Sequence, residues 1–195
     1  MAKGPLIIVS GPSGSGKSTV IERLLAEESS AYPLHLSVSA TTRARRPGEI
    51  DGKHYHFWTA ERFAAAVQAG KFLEWAEVHG ARYGTLHDEV DGYRDHGIGV
   101  ILEIDVQGAA SVRKQCADQV SVFLRASSLA AYEERLRKRG TESEDAIRRR
   151  VAAAQRELAR ASEYDHQVIN DDLDSAVAEL KAIVERQFQG GNHAG

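Results

Sequence analysis

An apolar, β-branched run, Leu6-Ile7-Ile8-Val9, leads straight into Gly11-Pro12-Ser13-Gly14-Ser15-Gly16-Lys17-Ser18-Thr19, and no other feature constrains the chain as much. Gly11, Gly16, Lys17 and Ser18 fit the phosphate-binding pattern G-x-x-x-x-G-K-[ST]. The flanks fit as well, because Val20-Ile21-Glu22-Arg23-Leu24-Leu25 continues as an amphipathic helix. A merely flexible Gly/Ser-rich turn would not need Lys-Ser-Thr at the opening of a helix. Glycines let a phosphate approach the main chain closely. Successive N–H groups form an anion nest, and the helix N-terminus adds its positive dipole end. Residues 11–19 are therefore expected to cradle a nucleoside triphosphate, with Lys17 on the β- and γ-phosphates and Ser18 Oγ on Mg²⁺. The loop specifies a phosphoryl donor and leaves the acceptor open.

The bulk properties narrow the class. A chain of 195 residues suits one globular unit with inserted subdomains. A net charge of −3 argues against a general nucleic-acid binder. The single cysteine, Cys116, excludes an internal disulfide; it is expected as a small buried apolar residue on a helix. The apolar run behind Met1–Pro5 is too short for a signal peptide, and no stretch reaches the roughly 20 apolar residues of a membrane span. A reducing, cytoplasmic setting with no membrane partner is expected, and the oligomeric state is left open.

Strand-like and helix-like segments alternate, which predicts an α/β fold. Residues 6–10, 100–105, 120–124 and 167–170 read as buried strands, and 18–28 and 106–116 as helices behind the first two. Ser127-Ser128 can cap a helix over 129–139 stopped by Gly140, and Thr141 with Glu144 makes a capping box for a helix reaching about 160. A further helix covers 173–188, and 189–195 is Gly-rich and expected to be disordered. Residues 37–85 break the rhythm, offering short β-like pieces at 36–41, 55–58 and 72–78 around one helix at 60–69. This insertion is expected to form a small lobe of its own.

Three groups in that lobe suit a second ligand. Arg43 and Arg46 stand three apart beside a turn, followed by Tyr55. Guanidinium groups bind phosphate with paired hydrogen bonds, and a phenol adds another donor. Glu74 is set among Phe72, Leu73 and Trp75, either on the solvent face of a strand or as a deliberate acceptor. Tyr83-Gly84-Thr85 can be an ordinary turn. Glu103 and Asp105 alternate with apolar neighbours and are expected on one side of a strand, at the carboxyl edge where α/β ligands gather. His54 and His56 flank Tyr55, but no further ligand nearby supports a metal pair.

Taken together these residues resemble a known family. Ser37-Val38-Ser39-Ala40-Thr41-Thr42-Arg43, Arg46, Gly48-Glu49, Gly52, Tyr55, Glu74-Trp75-Ala76, Tyr83-Gly84-Thr85 and Ile104-Asp105-Val106-Gln107-Gly108 resemble guanylate kinases in order and spacing. The likeness continues through Arg139-Gly140-Thr141 and Val168-Ile169-Asn170-Asp171-Asp172, and so spans about 5–187. The phosphate loop is shared by many families, whereas the acceptor set is specific. The resemblance implies a P-loop NTPase parallel-sheet core (1–36, 86–128 and 164–188) and an inserted GMP-binding lobe of mixed β structure (37–85). It further implies a helical lid (129–163), with 189–195 left as a tail.

The implied reaction is transfer of the ATP γ-phosphoryl to GMP or dGMP, with Mg²⁺. Guanine presents N1–H and N2–H₂ donors and an O6 acceptor. By resemblance Glu74 accepts from those donors, while Ser39 and Thr85 turn hydroxyls toward the ring. Arg43, Arg46, Tyr55 and Tyr83 are implied at the GMP phosphate, and Glu103 and Asp105 beside GMP, with Glu103 also near Mg²⁺ through water. The family more often has Asp where Glu103 stands, a shift of one methylene. Arg139 and Arg150 match lid arginines that neutralise the transferring phosphoryl, and Asn170 matches a residue at adenine. The remaining arginines of the basic segment, Arg135 among them, are expected on the surface. Two other readings remain: a ribose-bisphosphate phosphokinase on this scaffold, which has no need of Glu74, Ser39 and Thr85, and a scaffolding module, which typically lacks the loop.

Overall fold

In the computed structural model, which describes residues 2–27, 31–78, 80–138 and 143–190, the run after Pro5 forms a strand, β1 (Leu6–Ser10), with all five residues buried. The chain continues through α1 (Lys17–Ala26), β2 (Leu34–Leu36), β3 (Ala40–Thr41), β4 (His56–Phe57), α2 (Ala60–Gln68), β5 (Phe72–Val78) and β6 (Ala81–Leu86). Then follow α3 (Asp91–Asp95), β7 (Gly99–Glu103), α4 (Val106–Gln115), β8 (Gln119–Arg125), α5 (Leu129–Lys138), α6 (Glu144–Leu158), β9 (His166–Ile169) and α7 (Leu173–Gly190).

A strand apolar at every position requires cover on both faces of its sheet, and β1 has it. Ile7 and Val9 pack with Val20, Ile21 and Leu24 of α1 and with Val177, Leu180 and Val184 of α7. Leu6 and Ile8 face the other way, into a cluster with Ala109 and Val112 of α4, Phe123 and Tyr164. The sheet order is β2-β7-β1-β8-β9, parallel throughout. Both neighbours of β1 come later in sequence, so its carboxyl end is a switch point where the glycine loop emerges. Val9 is in register with Glu103 of β7, which brings that carboxylate beside the loop.

A second sheet, ordered β4-β3-β6-β5, is mixed: β3 and β4 run parallel, and β6 is antiparallel to both β3 and β5. Phe63 of α2 covers it, stacking on Phe72 at 4.5 Å and meeting the Trp58 ring edge-on at 6.4 Å. On the far side of the core, α5 and α6 pack through Tyr132 and Ala154, and Ala126 N–H donates to the Tyr132 hydroxyl at 2.9 Å.

Several expectations need correction. Leu34–Leu36 is a strand of the core sheet that the sequence reading overlooked, and Asp91–Asp95 is an unforeseen helix. Tyr83-Gly84-Thr85 is not a turn but the middle of β6. The strand expected to reach Asp105 stops at Glu103, because Asp105 leaves the sheet to cap α4. Ser143, not Thr141, caps α6: its side chain accepts from Ala146 N–H at 3.3 Å, and Thr141 lies outside the described residues with Gly140. Cys116 sits just past α4 in extended backbone, half-buried, with its thiol pushed above the usual range by burial. The last helix includes Gln189 and Gly190; 191–195 lie outside the described residues.

Candidate active site

The loop from Gly11 to Gly16 joins β1 to α1. Gly16 is the N-cap of α1 at φ 90°, and a Cβ there would lie 2.3 Å from Asn170 Nδ2, so both conformation and space demand glycine. Asn170, buried at the end of β9, donates through that nitrogen to the Ser15 carbonyl at 2.8 Å. Ser15 N–H in turn donates to the Pro12 carbonyl at 3.1 Å. Lys17 Nζ donates to the Gly11 carbonyl at 2.7 Å and the Pro12 carbonyl at 3.2 Å, holding its ammonium over the concave side of the loop.

Arg135, expected as a surface residue, is instead half-buried: it donates to the Ser15 carbonyl at 3.4 Å and to the Asn170 carbonyl. Its periodicity on α5 looked like that of any solvated arginine, and only the tertiary fold turns it onto the loop. Gly14, Gly16, Thr19, Arg135, Lys138 and Asn170 line a cavity of about 350 Å³ next to the loop. From α6, Arg150 reaches back and donates to Ser13 Oγ at 3.1 Å. Arg139 lies outside the described residues.

Ser18 Oγ donates to Glu103 Oε1 at 2.7 Å, placing a hydroxyl and a carboxylate at the mouth of the loop. Such hard oxygen donors suit Mg²⁺, which takes one or two protein oxygens and completes its shell with phosphate and water. Asp105 Oδ1 accepts from Gln107 N–H at 2.7 Å and Gly108 N–H at 2.9 Å, so its first task is to cap α4.

In the small sheet, Glu74 is only 6% exposed, which excludes the solvent-face alternative. Its Oε1 accepts from Thr85 Oγ1 at 2.8 Å and Thr85 N–H at 3.2 Å. Its Oε2 faces α4 so closely that a Cβ on Gly108 would lie 2.8 Å away. Burial pushes the Glu74 carboxyl up to about 7, with the charge of Asp105 adding to the rise against the Thr85 bonds. Ser39 lies on the crossing from β2 to β3, half-buried, and its carbonyl accepts from His56 N–H at 2.9 Å.

Arg43 forks onto Glu49, with contacts of 2.7 and 3.1 Å, and lies over the rings of Tyr55 at 5.5 Å and Phe57 at 5.7 Å. The Glu49 carboxylate also accepts from Arg46 N–H at 2.7 Å, so one acidic residue shapes the loop that carries both arginines. The sequence reading gave Glu49 no role, although its spacing from Arg43 and Arg46 was visible. Tyr83 meets Tyr55 edge-on at 5.9 Å. Burial raises the Tyr55 phenol to about 12, and the charge of Glu103 adds to it. The structure thus brings Arg43, Tyr55 and Tyr83 together, and Glu74 with Thr85; Arg46 is anchored by its backbone with an exposed side chain.

Residues 3–187 match the family model described as guanylate kinase. The chain belongs to the guanylate kinase family. It is 49% identical over 193 residues to a guanylate kinase of Rubrobacter xylanophilus, covering 98% of this chain and 99% of the relative. It is 46% identical to a guanylate kinase of Vibrio vulnificus, covering 96% and 90% of the two chains. The crystal structure of guanylate kinase from Anaplasma phagocytophilum superimposes with a TM-score of 0.77 at 30% identity, over 96% of this chain and 87% of that one. As a guanylate kinase the chain is an enzyme that phosphorylates GMP.

Proposed function

We propose that ATP binds at the glycine loop and GMP in the small lobe, so that the γ-phosphoryl passes to GMP across the gap between Lys17 and the Arg43–Tyr55–Tyr83 cluster. The observation that carries this reading is Glu74, a carboxylate buried in a sheet and supported by Thr85. A buried acceptor of that kind matches the two adjacent donors of guanine, N1–H and N2–H₂. Adenine would set acceptor against acceptor there, leaving buried groups unpaired and discriminating strongly. Ser39 and Thr85 supply hydroxyls toward the ring. None of the named groups requires the ribose 2′-hydroxyl, so dGMP serves as well.

The acceptor oxygen of GMP is already ionised near neutral pH, so no general base is needed, and positioning with charge neutralisation supplies the acceleration. Arg43, Arg46, Tyr55 and Tyr83 hold the acceptor phosphate. Residues 11–19 hold the donor, Lys17 exchanging its loop carbonyls for the β- and γ-phosphates. Arg150, already at Ser13, and Arg139 offset charge on the transferring group in cis. Ser18 and Glu103 are the residues that would hold Mg²⁺, Glu103 through water, and the ion would supply positive charge against the phosphates. Asn170 fixes the loop wall beside the cavity that receives adenine. The division into a core, a lobe at 37–85 and a lid at 129–163, working in the cytoplasm, belongs to the same proposal.

A coupled assay offering GMP, dGMP, AMP, UMP and a ribose phosphate as acceptors tests it. GMP and dGMP should be turned over and AMP disfavoured by about 10⁴-fold in kcat/KM. Faster turnover of the sugar phosphate would overturn the assignment.

A further inference from the structure

Two stretches of chain cross between the core sheet and the small sheet: 37–39 on the way out, between β2 and β3, and 87–90 on the way back, between β6 and α3. One side chain ties both crossings together. Glu89, on the return crossing, accepts from the Val38 N–H of the outgoing crossing at 3.3 Å. Its Oε2 also pairs with His35 Nε2 of the core strand β2 at 3.1 Å, and its Oε1 with His56 Nε2 of the lobe strand β4 at 3.1 Å. The three side chains are each 20–27% exposed, so the corner is partly sheltered.

The imidazoles are themselves held. His35 stacks on Tyr93 of α3 at 3.6 Å with ring planes 10° apart, and His56 leans toward Trp58 at 6.4 Å, with Arg62 of α2 lying over that indole. The other charged groups of this corner pair elsewhere or face solvent: His87 Nδ1 lies 3.0 Å from Asp91, and Asp88 is exposed. Burial alone would raise the Glu89 carboxyl, but the bonds from His56, His35 and Val38 hold it below the ordinary range. Nothing in the phosphoryl-transfer reading uses these three residues.

We propose that Glu89 is a positioning residue, a clasp that pins the GMP lobe to the core through His35, His56 and Val38 and sets how much ordering GMP must impose when it binds. The proposal rests on the assignment of GMP to the small lobe. A looser hinge leaves more freedom to be lost on binding, which weakens affinity for the ligand that bridges lobe and core. Donor binding at the glycine loop involves only the core and the lid, so it is insulated.

The test is calorimetric titration of GMP into the full-length wild type, Glu89→Ala, and the double variant His35→Gln/His56→Gln. Glutamine keeps an N–H donor at each site. Glu89→Ala should raise the GMP Kd roughly three- to tenfold, whereas the double variant should stay within about twofold of wild type. The KM for ATP should stay within about twofold throughout.

Melting temperatures establish that the variants fold; should Glu89→Ala fail to, Glu89→Gln carries the same comparison. An unchanged GMP Kd in folded Glu89→Ala, or an equal rise in the ATP KM, would overturn the clasp. Glu74→Ala run alongside separates the two assignments. GMP binding lost in Glu74→Ala but unmoved in Glu89→Ala rejects the clasp alone, whereas binding unmoved in Glu74→Ala rejects the lobe assignment beneath it.

Discussion

Glu74→Gln is the perturbation with the most to say, because it removes a titrating charge and leaves the side chain's size. In the free protein burial raises the Glu74 carboxyl from an ordinary 4.5 to about 7. In the proposed site guanine, which presents N1–H and N2–H₂ donors, needs it ionised. One unit below that value only about one molecule in eleven is in the binding form, and one unit above it about ten in eleven are. The kcat/KM for GMP should therefore climb about tenfold between pH 6 and 8, through a midpoint near 7. The GMP phosphate also titrates, near 6; Glu74→Gln shares that step and lacks the other, so the difference between the two profiles isolates Glu74.

At pH 8 the variant should lose roughly 10²–10³ in kcat/KM, the worth of two hydrogen bonds to a charged acceptor. Stability must move the opposite way. A carboxyl whose folded value is raised favours the folded state fully below 4.5, and that contribution is lost as pH rises through about 7. Over the window this amounts to about 3 kcal/mol. Urea unfolding without nucleotide should thus show wild type losing stability relative to Glu74→Gln from pH 5 to 8. A flat kinetic profile, or one that Glu74→Gln reproduces, would refute the reasoning.

Lys17→Ala should lower kcat by about 10²–10³ while leaving the fold intact; near-normal turnover would reject its role. Arg150→Ala, which breaks the reach from α6 to Ser13, should lower kcat by about 10² or more; a change confined to GMP affinity would contradict its place at the transferring group. Ser18→Ala should raise the Mg²⁺ concentration for half-maximal activity roughly tenfold with the GMP KM unchanged, and an unaltered Mg²⁺ requirement would remove Ser18 from the metal site.

What the sequence revealed and what it hid divide along a physical line. The strand–loop–helix at residues 6–26 was legible because burial on both faces and phosphate binding each leave a local pattern. The strand at Ala81–Leu86 was not, because Gly84 looks like punctuation. It is glycine because a Cβ would press within 2.7 Å of the Phe72 ring across the hairpin, a contact between residues twelve apart. The brief β2 was missed because three residues carry no period. In the site, charge alone left Glu74 undecided between a solvent face and a buried position, and its 6% exposure excludes the first. Arg135 and the Glu89 corner acquire partners through tertiary contact, which no spacing within one helix or loop announces.

A crystal structure with GMP and a non-hydrolysable ATP analogue bound together with Mg²⁺ tests the central claim most directly. The account predicts the guanine edge on Glu74 and Thr85, its phosphate among Arg43, Arg46, Tyr55 and Tyr83, and the γ-phosphate on Lys17 in line with it. A purine monophosphate seated away from residues 37–85, or a triphosphate away from the glycine loop, would contradict it.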